Sequence, residues 1–251
     1  MRRSLAAALV AIVAVLALAA CGGDGDGRPQ LTVSAATSLK TAFERYGRDF
    51  GSANVRYSFA GSDELAAQIR QGVRPDVYAA ANLDLPSALN RERLVERPVT
   101  FARNRLVLAT PAGSSKVRTL EQVAKPGVKV VIGSPSVPVG KYTRTVLGRL
   151  PQVEARGILA NVRSSEPDVA GVVGKLAQGA ADAGFVYVTD VRATDGRLRA
   201  VELPARLQPS VAYGVAVVKG TRHRAVARAF VAGLLRGDGR AELQRAGFEL
   251  P

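Results

Sequence analysis

Two serines stand where an apolar stretch gives way to small residues and then to a helical pattern. Residues 31–36 (Leu-Thr-Val-Ser-Ala-Ala) lead into Thr37 and Ser38, and residues 54–59 (Asn-Val-Arg-Tyr-Ser-Phe) lead into Ala60, Gly61 and Ser62. A hydroxyl at a helix start lies beside backbone N–H groups with no intrahelical partner, at the positive end of the helix dipole, and so can cradle an anion. The plainer role for Thr37 or Ser38 is to cap the following helix with its side chain. The repeat after 24 residues, from 38 to 62, is about one helix plus one strand. In a parallel sheet that spacing brings both turns to the carboxyl edge, where open α/β sheets bind ligands.

The rest of the chain offers more neutral donors and little else. In residues 133–140 (Gly-Ser-Pro-Ser-Val-Pro-Val-Gly) Pro138 suits the entry of a helix, so Val139 and Gly140 would present free N–H groups. The loop fits neither a P-loop nor a GxGxxG fingerprint. Tyr187 ends an apolar strand at 183–188 and would add a neutral hydroxyl if it faced a cleft. The lone histidine, His223, sits among basic residues away from every such turn and reads as a solvated surface residue. No GxSxG elbow and no His/Cys/Asp/Glu set with metal-ligand spacing is present, and the one cysteine, Cys21, precedes the body. An enzyme would have to work with carboxylates alone: an exported hydrolase using Asp63 or Glu64 with Asp168 is the alternative from another class, although Asp168 and Glu166 fall where helix first turns favour acids. Neutral hydroxyls and free N–H groups, without a counter-charge, are equipment for holding a compact oxyanion. No cofactor is expected.

These turns need elements to hold them. Alternation and breaker residues predict strands at 31–36, 54–59, 76–81, 104–110, 128–132, 158–162, 183–188, 199–203 and 210–218. Helices are expected to about residue 50, from 62, from about 83, at 119–123, from 138 to about 150, after 169, from Thr221 and at 240–246. Strand–helix alternation with short connections predicts an α/β protein of two doubly wound lobes joined by two crossover strands. Lobe 1 would comprise 31–105 and 213–251, and lobe 2 residues 106–212. Closure about 106–110 and 212–218 would be a hinge motion.

Residues 1–20 read as a signal peptide: Met-Arg-Arg followed by an apolar run too short to span a bilayer comfortably. Leu18-Ala-Ala-Cys21 resembles the bacterial lipobox, which makes Cys21 the expected lipid attachment point, with an exported chain anchored at the outer face of the cell membrane or in the periplasm. Residues 21–30, rich in Gly and Asp, would be a flexible tether. The net charge of +14 over 251 residues raises nucleic acid as a partner, but the basic residues are scattered singly (Arg91, Arg93, Arg97, Arg103, Arg105, Arg118). No nucleic-acid partner is expected, and the chain should act as a monomer.

The body, residues 31–251, resembles the periplasmic molybdate-binding proteins of ABC importers. The motifs are Ala35-Ala-Thr-Ser-Leu39, Ser58-Phe-Ala-Gly-Ser62 followed by Glu64-Leu-Ala66, Pro75-Asp-Val77, Val137-Pro-Val-Gly140, Asp168-Val169, Gly184-Phe-Val-Tyr187, Tyr213-Gly-Val-Ala-Val217 and Gly247-Phe248. The resemblance implies a type II periplasmic-binding-protein-like fold and a ligand held by the hydroxyl and main-chain N–H of Ser38 and Ser62, the N–H groups of Val139 and Val169, and the Tyr187 hydroxyl. No protein atom would ligate the molybdenum itself. It also implies an ABC permease as partner and tungstate as an equivalent ligand; a receptor of the same fold for sulfate or phosphate is the runner-up. Gly61 stands where members often carry another serine, and Val188 where a smaller residue is common. Both departures bear on selectivity rather than fold.

Overall fold

The computed structural model describes residues 27–251; the signal segment, Cys21 and the tether up to residue 26 lie outside them. The chain builds two five-stranded mixed sheets. The first sheet takes β1 (Gln30–Ala36), β2 (Asn54–Ala60), β3 (Val77–Ala80), β4 (Val99–Asn104) and β10 (Val211–Val217) in the order β2-β1-β3-β10-β4. The second takes β5 (Leu106–Pro111), β6 (Val130–Gly133), β7 (Val162–Glu166), β8 (Ala183–Tyr187) and β9 (Leu198–Glu202) in the order β7-β6-β8-β5-β9.

Three strands of each sheet run parallel and carry the site. β1 pairs with β2 and β3, and β6 with β7 and β8. The connecting helices are α1 (Lys40–Asp49), α2 (Ser62–Arg70), α3 (Asp84–Arg91), α4 (Leu120–Val123), α5 (Pro138–Gly148), α6 (Gln152–Ala160), α7 (Val169–Ala177) and α8 (Val188–Arg192). Two further helices, α9 (Arg224–Arg236) and α10 (Asp238–Ala246), complete lobe 1. Strands such as β3 and β8, covered on both faces, are buried at every position and read as unbroken apolar runs. Phe43 of α1 packs against Phe101 of β4 and Phe230 of α9 with ring centroids 6.0 and 5.8 Å apart, tying both ends of the chain into one core.

The links between lobes are shorter than the crossover strands expected. Residues 104–110 are not one strand. Asn104 ends β4, opposite Val211 of the first sheet, and Leu106 begins β5, opposite Tyr187 of the second. Arg105 alone separates them. The return runs through residues 203–210, and β10 lies wholly in the first sheet, so 212–218 is lobe 1 framework rather than hinge. The strand expected at 158–162 is also absent. Pro151 opens α6, whose Ala, Glu, Arg and Leu are good helix formers, and of its residues only Ile158 is fully buried. The strand comes next, as the polar edge Val-Arg-Ser-Ser-Glu of β7. The helix expected from Thr221 begins at Arg224, because the Thr221 hydroxyl is engaged with Asp76.

Candidate functional site

The parallel registers bring the sequence-selected turns together. Ala36 lies opposite Ala60, so Ser38 and Ser62, each two residues further on, leave the same edge of the first sheet. Gly133 lies opposite Glu166, which places the entries of α5 and α7 side by side on the second. All four turns and Tyr187 converge on one cavity of about 20 Å³ between the lobes, lined among others by Ser38, Ser62, Val139, Val169 and Tyr187.

Each residue is held in its own way. Ser38 sits in a 3-10 turn, Thr37–Leu39, ahead of α1. Neither it nor Thr37 makes the expected side-chain cap; the Ser38 Oγ instead lies 2.9 Å from the Tyr213 hydroxyl. Ser62 is the first residue of α2 and only 2% exposed. Its Oγ accepts from the Ala81 N–H at 3.1 Å, and its carbonyl accepts from the Tyr78 hydroxyl at 2.6 Å. Val139 follows Pro138 in the first turn of α5, where N–H groups have no intrahelical acceptor. Gly140 beside it is obligatory, since a Cβ there would run into the Ser134 and Gly133 carbonyls. Val169 opens α7 behind Asp168, whose Oδ1 caps the helix by accepting from the Gly171 N–H at 2.8 Å.

Tyr187 is buried, faces the cavity, and its hydroxyl has no hydrogen-bond partner. A buried polar group left unmade costs about 1–3 kcal/mol, so an orphan donor on a cavity wall points to a ligand. Burial pushes this hydroxyl well above its ordinary titration range, with Tyr213, Tyr142 and Asp190 acting in the same direction, so it keeps its proton. The starts of α2, α5 and α7 turn their positive dipole ends to the same space. No lysine or arginine lines it, and its one carboxylate, Asp168, is engaged by Gly171.

The acids considered for hydrolysis do not form a working pair. Glu64 accepts from Gln68 on the exposed face of α2, Asp168 is the cap just described, and Asp63 is absent from the cavity wall. Glu166 ends β7, before the first turn of α7, in an ion pair with Lys175 at 2.7 Å. His223 lies 3.4 Å from Asp76, remote from the cavity lining. Among the described residues no group of three or more His, Cys, Asp or Glu could hold a metal ion, and no helix is long and apolar enough to cross a membrane.

Two residues beside the site escaped the sequence reading. Tyr213 of β10 and Asn104 at the lobe junction form a chain of contacts behind Ser38: the Asn104 Nδ2 donates to the Thr189 Oγ1 at 2.8 Å and to the Tyr213 hydroxyl at 3.4 Å. Their sequence signal is slight: Tyr213 lies inside the apolar β10 and opens one of the resemblance motifs, and Asn104 is the last residue of β4.

Two mixed α/β sheets, linked twice and shut over a small donor-lined cavity, define a two-lobed solute receptor. The chain belongs to the bacterial extracellular solute-binding protein family, whose model matches residues 31–249. Within it, the chain is 36% identical to the molybdate-binding protein ModA of Mycobacterium tuberculosis, over 98% of this chain and 98% of that protein. A solved substrate-binding domain of a putative molybdenum ABC transporter from Clostridium difficile is 28% identical, with a TM-score of 0.66 over 88% of this chain and 99% of that one. The periplasmic molybdate-binding protein of Azotobacter vinelandii superposes with a TM-score of 0.79 at 22% identity, over 88% and 99% of the two chains. The type II periplasmic-binding fold and the family resemblance expected from the motifs are the ones found.

Proposed function

We propose that this chain is a lipid-anchored receptor that captures molybdate, and tungstate comparably, between its lobes and presents it to an ABC permease. The ligand would be held by the hydroxyls and N–H groups of Ser38 and Ser62, the N–H groups of Val139 and Val169, and the Tyr187 hydroxyl. The observation that carries this reading is the partnerless Tyr187 hydroxyl in a cavity lined by helix-start donors, whose one carboxylate, Asp168, is engaged as a helix cap. About 20 Å³ exceeds the ~10–15 Å³ that one water needs and suits a compact ion of a few heavy atoms, not a sugar or a peptide. The molybdate-binding relatives support the choice of ion.

Donors without acceptors favour a fully deprotonated dianion. Hydrogen phosphate would bring a proton with nowhere to go, a buried mismatch that costs a few kcal/mol. Sulfate has the right charge but is smaller, so the fit of the cavity must exclude it; tungstate matches molybdate in both respects. The receptor acts as a monomer without cofactor or turnover, and Cys21 carries the anchor. Titration calorimetry of the mature body with molybdate, tungstate, sulfate and phosphate tests the assignment: one equivalent of the first two binds, and the last two give little heat. Absence of heat with molybdate would refute it. Replacing Cys21 with alanine should move the protein from the membrane to the soluble fraction.

A further inference from the structure

Both site serines have their oxygen already in use, and this decides where their protons go. The Ser62 Oγ accepts from the Ala81 N–H, leaving its own hydrogen for another partner. For Ser38 the 2.9 Å contact with the Tyr213 hydroxyl is by itself ambiguous, since either oxygen can donate. The surrounding contacts remove the ambiguity. The Asn104 Oδ1 accepts from the Arg105 N–H at 2.9 Å, which orients the amide and turns Nδ2 toward Tyr213 and Thr189. The Tyr213 oxygen therefore receives a hydrogen, its own proton passes to the Ser38 Oγ, and the Ser38 proton is left for the cavity. Each serine is thus polarised from a backbone N–H: directly from Ala81, and from Arg105 through Asn104 and Tyr213.

We infer that Tyr213 and Asn104 are positioning residues that hold Ser38 as a hydrogen-bond donor, and so help the site to refuse oxyanions that carry a proton. The inference rests on the oxyanion reading of the cavity. Three features suit Tyr213 to this role. Its ring is clamped edge-on by Phe101, Phe248 and Tyr187 at centroid distances of 6.3, 5.3 and 5.8 Å, which leaves the hydroxyl little freedom. Burial raises its titration well above the ordinary range, so the proton it passes on stays in place. Asn104 also sits at the single-residue junction between the sheets and donates to Thr189 in lobe 2, which ties the relay to the second lobe.

The test is a double-mutant cycle read by calorimetry with molybdate and with inorganic phosphate, which keeps at least one proton throughout the neutral range. Tyr213→Phe removes one buried oxygen and frees the Ser38 hydroxyl to turn its lone pair to the cavity. It should weaken molybdate about five- to tenfold, the usual worth of one hydrogen bond, with phosphate unchanged or strengthened, so that the ratio of the two affinities narrows. In the Ser38→Ala background the same change should cost less than twofold, because Tyr213 acts through Ser38. Asn104→Leu, which interrupts the relay one step earlier, should show the same non-additivity and keeps the test open if Tyr213→Phe folds poorly. A residue of merely structural importance would weaken both anions alike and add its loss to that of Ser38→Ala; either result overturns the inference. A wild type that takes up no molybdate overturns the receptor reading and this inference with it, whereas a binding wild type with additive losses overturns the inference alone.

Discussion

Gly61 sets how far the lobes can close, and Gly61→Ala measures it. Its φ and ψ of −57° and 136° are open to any residue, so the substitution strains no backbone. The obstacle lies across the cleft. A Cβ at position 61 would sit 2.6 Å from the carbonyl oxygen of Pro167 in the other lobe, 0.8 Å short of the 3.4 Å where ordinary contact begins (3.4 − 2.6). A second neighbour, the Asp63 Oδ1 at 3.0 Å, is a side-chain tip that can turn away. The Pro167 carbonyl is backbone, in the connection between β7 and α7, so relief there means shifting the backbone of the other lobe. If the lobes part by that amount, a bond of about 2.9 Å from Val139 or Val169 to an ion held by the serines stretches to about 3.7 Å, beyond hydrogen-bond range. Losing one bond to a charged group costs about 1.5–3 kcal/mol, which is roughly 10- to 150-fold in affinity. If the ligand-free chain rests with its lobes parted, melting without ligand should be unchanged while molybdate binds at least tenfold more weakly. Small-angle scattering should show incomplete compaction on saturation. Wild-type affinity and full compaction in this variant would refute the closure geometry. The same contact makes glycine the residue that fits at position 61.

Three further substitutions separate binding from folding. Ser62→Ala removes the hydroxyl proposed to hold the ion and strands the buried Ala81 N–H, so it should weaken molybdate at least tenfold and also lower ligand-free stability by about 1–3 kcal/mol; unchanged titration and melting curves would remove Ser62 from the site. Tyr187→Phe deletes a hydroxyl that has no partner in the protein, so binding should weaken about tenfold while ligand-free melting stays level or rises; a fall in melting temperature with intact affinity would contradict its role. Asp190 is pushed up to about 7 by burial and by the charge of Asp168, against the lowering effect of the Tyr187 N–H, which its Oδ2 accepts at 2.9 Å. The folded chain therefore keeps a proton that the unfolded chain releases near the ordinary carboxylate value, and stability falls as pH rises from about 4 to about 7. Asp190→Asn, which can still accept from Tyr187, should flatten melting temperature across that window and raise it at pH 8; an unaltered profile would exclude Asp190 as the source.

Much of this was readable in one dimension because the elements involved are local. A strand, a turn of small residues and a helix carry their own periodicity, and the length between Ser38 and Ser62 fixed the register that sets them side by side. The errors arose where burial overrode local pattern. Ile158-Leu-Ala160 looks like a strand but belongs to α6, while β7 is an edge whose alternating exposure admits arginine and two serines. The short α8 takes its first residue, Val188, from the apolar run that reads as a strand. Tyr213 was invisible as the partner of Ser38, and Asn104 as the partner of Tyr213, because those contacts join positions 175 and 109 apart in the chain, for which periodicity has no signal. Gly61 read only as a departure bearing on selectivity; the opposing Pro167 carbonyl is what shows how little room the position has.

The order in which the sheets are completed has a consequence for biogenesis. Lobe 2 is one contiguous insertion, whereas the first sheet waits for β10, which must slot between β3 and β4 from the far end of the chain. A nascent polypeptide lacking its last forty or so residues has all of lobe 2 but a gap in the middle of lobe 1. Closing that gap requires long-range pairing, which is intrinsically slow. About half of the body therefore cannot lock into a native core until synthesis is almost complete.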